Sequence, residues 1–337
     1  MIRVIFSLFF LSQIISAQRA VGKVFDDSGT PIQNVNVFID GTTFATQSDA
    51  NGKFSLNYKV FSTKTMIVSC VGFKTQYISD YNQNQDLIIA LQTDIVELDE
   101  ISINFDQFSR ARKLKFFKTE FLGKSANGRN CSIQNEKDIS FYYDKNARTL
   151  QAFANRPIVV INKNLAYKVN INLIGFEAKF YRENLKSSEM YRCYFEVLTH
   201  FESLSNTDEF KKRRAKALNG SKVNFFRDMA GNNWEKSKFK LFFNDFGLNP
   251  SYFFQVSNDG YQTNVELNQN VKSFKRKQKT TFNVVYNNRR KSQVTFDTQS
   301  FVIDIFGNNS QIEKIFFSGD MATRRVGDML PIDFGIK

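Results

Sequence analysis

From Val21 to Leu91, short runs of Val, Ile and Phe alternate with turns rich in Gly, Asp and Asn. Val21–Val24, then Val35, Val37 and Ile39, then Phe54–Leu56, Met66–Val71 and Leu87–Leu91 predict strands, as in a small antiparallel β-sandwich. Asp26-Asp27-Ser28-Gly29-Thr30-Pro31 and Asp49-Ala50-Asn51-Gly52 predict tight turns. Asp and Ser there bond back to the backbone, Gly permits positive φ, and Pro fixes its own φ.

The pattern changes after residue 104. Phe108, Ala111, Leu114, Phe117 and Phe121 recur at steps of three and four, with Arg110, Arg112, Lys113, Lys115 and Lys118 between them. That spacing predicts an amphipathic helix ending near Gly123. Its basic face suits a membrane surface, a partner, or simply solvent. Strands are predicted at Ile139–Tyr143, Leu150–Phe153, Ile158–Ile161, Tyr167–Leu173 and Met190–Val197. Two helices are predicted next. Thr207 would cap the first, whose opening turn carries Asp208 and Glu209, and Ser221 would cap the second. Strands follow at Phe239–Phe243, Tyr252–Val256, Phe282–Tyr286, Val294–Phe296 and Phe301–Phe306.

Together these elements predict a mainly β chain: an N-terminal transthyretin-like β-sandwich, then a larger β-rich α+β domain. The expected segments are a signal peptide at 1–17, the sandwich at 18–94, a linker strand at 95–103 and a basic domain at 104–337. With 337 residues and 42% hydrophobic content, both domains can bury a core.

Charge separates the two domains. Residues 18–103 hold 6 basic and 10 acidic side chains, a net of −4, whereas 104–337 hold 39 and 23, a net of +16. A basic surface concentrates anions. Its densest run is Lys211, Lys212, Arg213 and Arg214, joined by Arg227 on the following helix as a candidate anion or partner patch; the plainer reading is a solvated helix face.

The N-terminus fits an export signal: Arg3, an apolar run from Val4 to Ile15, and Ser16-Ala17 before Gln18. The run is too short to span a bilayer, which needs about 20 apolar residues, and no transmembrane span is expected in the mature chain. Nucleic acid is excluded as a partner by the export reading. An exported chain can form disulfides; Cys131 and Cys193 could pair, or all three cysteines could serve as small buried hydrophobes.

Gly22-x-Val24, Gly29-x-Pro31-Ile32, Val35-x-Val37, Gly41-Thr42, Asp49-x-x-Gly52-x-Phe54 and Val71-Gly72-Phe73 resemble the carboxypeptidase regulatory-like domain. Phe73 stands where that family more often has Tyr. The resemblance implies a non-catalytic accessory sandwich, of the kind often found at the front of exported Bacteroidota proteins. Ile95–Ile103 looks like the segment that follows this domain in TonB-dependent receptors, but the remaining 234 residues lack the even amphipathic strands of such a barrel.

A second resemblance, to a Bacteroidota family of exported proteins bearing this domain, rests on several short motifs. They are Phe121-Leu122-Gly123, Cys131-x-Ile133-x-Asn135, Leu150-x-Ala152, Pro157-Ile158, Asn162-x-x-Leu165-x-Tyr167, Gly220-Ser221-x-x-Asn224-Phe225-Phe226-Arg227 and Asp328–Phe334. Asn224 and Leu218 stand where that family has His and Tyr, so no role of those side chains carries over. The match implies a place in the periplasm or at the outer membrane, with no activity attached.

Chemistry is sparse. A metallocarboxypeptidase zinc site needs two His, and the chain has one, His200, so that site is excluded by counting. Asp49-x-Asn51-Gly52 lacks the later ligands of a calcium loop. No metal or cofactor is expected. The expected function is a non-catalytic envelope protein whose basic domain binds an envelope protein or an anionic envelope polymer. The alternative is a hydrolase working through paired carboxylates, which would need two Asp or Glu facing each other across a cleft.

Overall fold

A computed structural model describes residues 17–59, 65–79, 81, 86–94, 107–243, 246–260, 262–268 and 279–336. Almost all of the segment expected to be an export signal, namely residues 1–16, and the expected linker strand at 95–103 lie outside the described residues. The chain forms two compact units, residues 1–39 with 44–96, and residues 40–43 with 97–337.

The first unit holds seven strands: β1 (Ala17–Asp26), β2 (Asn36–Ile39), β3 (Ala45–Gln47), β4 (Lys53–Lys59), β5 (Met66–Ser69), β6 (Gln76–Ile78) and β7 (Leu87–Leu91). They form two sheets, ordered β4-β1-β7 and β3-β2-β5-β6, around Val24, Val35, Val37, Ile39, Met66, Val68 and Leu91. The sandwich departs from the all-antiparallel expectation at one pair, since β1 and β7 run parallel. The two strands also approach closely: a Cβ at Gly22 would stand 2.4 Å from the Leu87 carbonyl, so only Gly lets them meet there. The predicted turns form as expected. Asp49 Oδ1 accepts from the N–H groups of Asn51 and Lys53, each at 2.9 Å, and so serves the turn.

The second unit opens with helix α1 (Arg110–Leu122), capped by Ser109, and a short helix α2 (Ala126–Arg129). A sheet follows: β8 (Cys131–Ile133), β9 (Ile139–Asp144), β10 (Thr149–Ala154), β11 (Ile158–Asn162), β12 (Tyr167–Phe180) and β13 (Met190–Ser203). β12 is the spine. It pairs with β13 along one side and with β11 and then β10 along the other. The strand predicted to stop at Leu173 runs on to Phe180, because a bulge between Leu173 and Gly175 absorbs Ile174 and lets pairing continue.

α1 packs on this sheet with a face rotated from the predicted one. Lys113, Phe116, Phe117, Glu120 and Phe121 are buried, while Ala111 is exposed. Phe117 sets the rotation: its ring lies 4.6 Å from Phe121, 5.6 Å from Phe141 and 4.9 Å from Phe176. Large rings, not the two small or aliphatic members of the stripe, fill the contact.

Helices α3 (Asp208–Leu218) and α4 (Lys222–Ala230) come next. Ser221 caps α4 by accepting from the Asn224 N–H, as predicted, but the Thr207 side chain makes no capping bond on α3. The rest is β14 (Phe239–Phe243), β15 (Phe246–Leu248), β16 (Phe254–Asn258), β17 (Gln262–Leu267), β18 (Thr280–Tyr286), β19 (Arg290–Phe296), β20 (Ser300–Asp304) and β21 (Ile315–Gly319). They form a five-stranded sheet, β15-β14-β18-β19-β21, and a three-stranded one, β16-β17-β20. The strand predicted from Tyr252 starts later, at Phe254, because residues 250–252 form a tight turn: Pro250 cannot join a ladder and Asn249 accepts from the Ser251 N–H. Likewise β20 ends at Asp304, whose Oδ1 accepts from the N–H groups of Phe306 and Asn308 and turns the chain. A second core forms here, built on Phe225, Phe226, Phe254, Phe282, Phe296 and Phe301.

Candidate functional site

The predicted basic patch does not hold together. Arg214 is only 3% exposed. Its guanidinium donates to the carbonyls of Leu165 (2.8 Å), Ala166 (3.0 Å) and Ser205 (2.7 Å), to Asn206 Oδ1 (2.7 Å) and to Ser203 Oγ (3.2 Å). It also lies 3.9 Å from the Tyr167 ring centroid. Arg227 is committed in the same way, donating to the carbonyls of Phe306, Phe334 and Ile332 at 2.8, 2.8 and 2.6 Å. Both are internal ties, and neither is offered to a partner. Of the rest, Lys211 pairs with Asp208 (3.1 Å) and Arg213 with Glu209. Lys212 stays exposed without an ion pair among the described residues. Four adjacent charges on a helix point in four directions, and α3 carries its own acids to meet two of them.

Positive charge gathers on α1 instead. Its first turn holds no acidic residue, so the positive end of the helix dipole adds to Arg110, Arg112 and Lys113. Beside it lies a cavity of about 290 Å³ lined by Arg110, Lys113, Lys137, Ile139, Ser140 and Phe141, with no carboxylate in the lining. Arg110 is held in place by donating to the Glu136 carbonyl at 2.8 Å, with its guanidinium carbon 5.6 Å from the Phe141 centroid. The neighbouring Glu136 carboxylate is met by Lys118 at 2.5 Å, leaving the cavity's cations uncancelled by it. The alternation of Arg and Lys with apolar positions on α1 was visible in the sequence; Lys137 was missed, because it comes from a turn and only the fold brings it beside Arg110.

His200 sits on β13 opposite Asn170 of β12. Asn170 Nδ2 lies 3.5 Å from its Nδ1 and donates to Glu202 at 2.8 Å; Lys168 pairs with Glu202 at 3.0 and 3.1 Å. Burial holds the imidazole pKa below its ordinary value, against the pull of Glu202 and with the push of Lys168. Below about pH 6.5 the unfolded chain binds a proton that the folded chain resists, so stability is expected to fall as pH drops through that value and to be unaffected by this group above it. His200→Gln should flatten this limb in urea titrations run at pH 5 and pH 7.5. An unchanged limb would assign it elsewhere.

The three cysteines are free, and no disulfide joins Cys131 to Cys193. Burial pushes the Cys131 thiol up to about 12 and the Cys193 thiol up to about 11, so neither serves as a thiolate nucleophile at neutral pH. Among the described residues no group of three or more His, Cys, Asp or Glu could hold a metal. Nor does any of the three cavities described contain two carboxylates.

With this geometry in place, comparison with known proteins identifies the first unit. Residues 20–103 match the family model of the CarboxypepD_reg-like domain. The match extends over the segment set apart from sequence as a linker strand. No curated protein matches the chain. Among solved structures, a type II cohesin–X-dockerin complex from Acetivibrio cellulolyticus shares 21% identity at a TM-score of 0.20, over 23% of this chain and 58% of that one. A 9R-lipoxygenase from Cyanothece shares 10% identity at a TM-score of 0.18, over 66% of this chain and 47% of that one. The regulatory-like domain thus accounts for the first unit, and the second unit is read from its own geometry.

Proposed function

We propose that the chain is a non-catalytic exported protein of the cell envelope, in which the regulatory-like β-sandwich accompanies a basic domain that binds an acidic partner, either an envelope protein or an anionic envelope polymer. The observation that carries this reading is the α1 cavity, whose described lining brings Arg110, Lys113 and Lys137 together beside the positive end of a helix and includes no carboxylate. The net charge of +16 over residues 104–337 supports it, since a broad positive field draws an anionic partner to the surface of this domain. Export is supported by Arg3 and the apolar run that follows, and the Bacteroidota setting by the resemblances of both units. Among the described residues no helix is long and apolar enough to cross a membrane. A hydrolase reading would need paired carboxylates in a cleft, and no described cavity offers them.

The test is capture from cross-linked envelope with charge reversal on each helix. Arg110→Glu with Lys137→Glu should cut the captured partner at least fivefold and weaken retention on an anionic polysaccharide resin. Lys211→Glu with Lys212→Glu should change either by less than twofold, because Lys211 is already paired. Equal capture by wild type and by the Arg110/Lys137 variant would remove the α1 site.

A further inference from the structure

We propose that a second, separate cavity in the larger unit binds a small molecule carrying an oxyanion head on a short apolar body, with Lys222 and Arg325 as the counter-charges. The cavity, of about 220 Å³, lies where the end of α3, the start of α4 and the C-terminal segment meet. Leu218, Val223, Met321, Met329 and Ile332 give it apolar walls. Its size corresponds to about seven water volumes, room for a small ligand's head and the near part of its apolar body and too small for a folded partner. This site differs from the α1 cavity in both elements and ligand class.

The charges in the wall are unequal in their commitments. Arg227 is bonded to three carbonyls, as described above. Arg324 donates to the carbonyls of Ala217 and Asn219 and lies 3.7 Å from Asp320. Lys222 and Arg325 are different. Among the described residues neither side chain has an ion pair or a hydrogen bond, and each rests over a ring, Lys222 Nζ 5.1 Å from the Phe317 centroid and the Arg325 guanidinium carbon 5.7 Å from that of Phe195. Asp328 is the one carboxylate in the lining. Its Oδ1 accepts from Ser125 (3.0 Å) and Asn127 (2.8 Å), and its Oδ2 is buried with no hydrogen-bond partner among the described residues.

Two cations facing one apolar space repel each other, and desolvation of the Lys222 ammonium together with the Arg325 charge lowers its pKa from the ordinary lysine value. Much of Lys222 as a residue remains exposed, which places it at the rim, where a ligand enters. An anion between the two would relieve their repulsion, and the apolar walls would take the rest of the ligand out of water. Two sequence motifs with no role in the α1 site, Gly220–Arg227 and Asp328–Phe334, supply most of this wall. Part of that is structural, through Arg227, but the ties leave Lys222 unused.

Calorimetric titration of the full chain with octanoate, octyl phosphate, octanol and inorganic phosphate tests the proposal. Saturable one-to-one binding of octanoate or octyl phosphate is expected, at least tenfold tighter than octanol or inorganic phosphate. The tighter of the two shows whether the head is a carboxylate or a phosphate. Lys222→Met and Arg325→Met should each weaken binding at least fivefold, with thermal midpoints unchanged, and Val223→Phe should block the cavity. Octanol binding as tightly as octanoate, no saturation with either anion, or full affinity in the doubly substituted chain or in Val223→Phe would overturn it. Because this readout uses neither α1 nor an envelope extract, its failure leaves the acidic-partner reading standing, and the reverse holds.

Discussion

Arg214→Ala should destabilise the larger unit by about 3–5 kcal/mol, on the order of 10 °C in thermal midpoint, although no activity is assigned to the residue. The guanidinium joins the end of β11's loop to the entry of α3, through the carbonyls of Leu165, Ala166 and Ser205. Removing it leaves the Leu165 carbonyl without its donor, while that of Ala166 keeps the Leu204 N–H (2.9 Å) and that of Ser205 keeps Ser203 Oγ (3.3 Å); an unsatisfied buried acceptor costs about 1–3 kcal/mol. The Tyr167 ring also loses the cation over its face, worth about 1–2 kcal/mol when desolvated. Lys at this position should recover little, since an ammonium cannot reproduce a planar fork that reaches five acceptors. Circular dichroism melts of the alanine and lysine variants settle it; a loss under about 1 kcal/mol would mean that the carbonyls find other donors and that Arg214 is not the tie.

Phe282→Ala should cost a similar amount, about 3–5 kcal/mol, confined to the C-terminal sheets. Phe282 is fully buried on β18, with ring centroids of Phe243, Phe253, Phe254 and Phe296 at 5.8, 5.8, 5.4 and 6.1 Å. It joins the five-stranded sheet to the three-stranded one, so the space left by its ring borders two sheets and cannot be closed by moving one side chain. Near-UV dichroism should lose the signal of this aromatic cluster at lower denaturant than in wild type. A midpoint within about 0.5 kcal/mol of wild type would show that the two sheets repack without it.

The reading of α1 and α3 from sequence shows where such reasoning stops. Both helices carry dense basic residues at similar spacing, and periodicity alone ranks α3 higher because its four charges are adjacent. What separates them is the company each keeps in space. α3 spends Arg214 on a buried loop and pairs Lys211 and Arg213 with its own first-turn acids. α1 lacks acids in its first turn and receives Lys137 from across a turn. Burial of Lys113 and Glu120 on α1 is likewise invisible to a pattern that counts charged residues as outward-facing.

The amino-acid order by itself determined the mainly β architecture, the place of the sandwich, the Asp-Gly turns, the Ser221 cap and the absence of a His-based zinc site. Those properties depend on neighbours within a few positions, where backbone sterics and local hydrogen bonds act. Only the tertiary structure decided that β7 joins β1 in parallel, that Arg214 and Arg227 are interior ties, and that Lys222 and Arg325 face one apolar space. Each of those depends on groups brought together from distant parts of the chain, and whether a charge is free or spent is a property of the atoms around it.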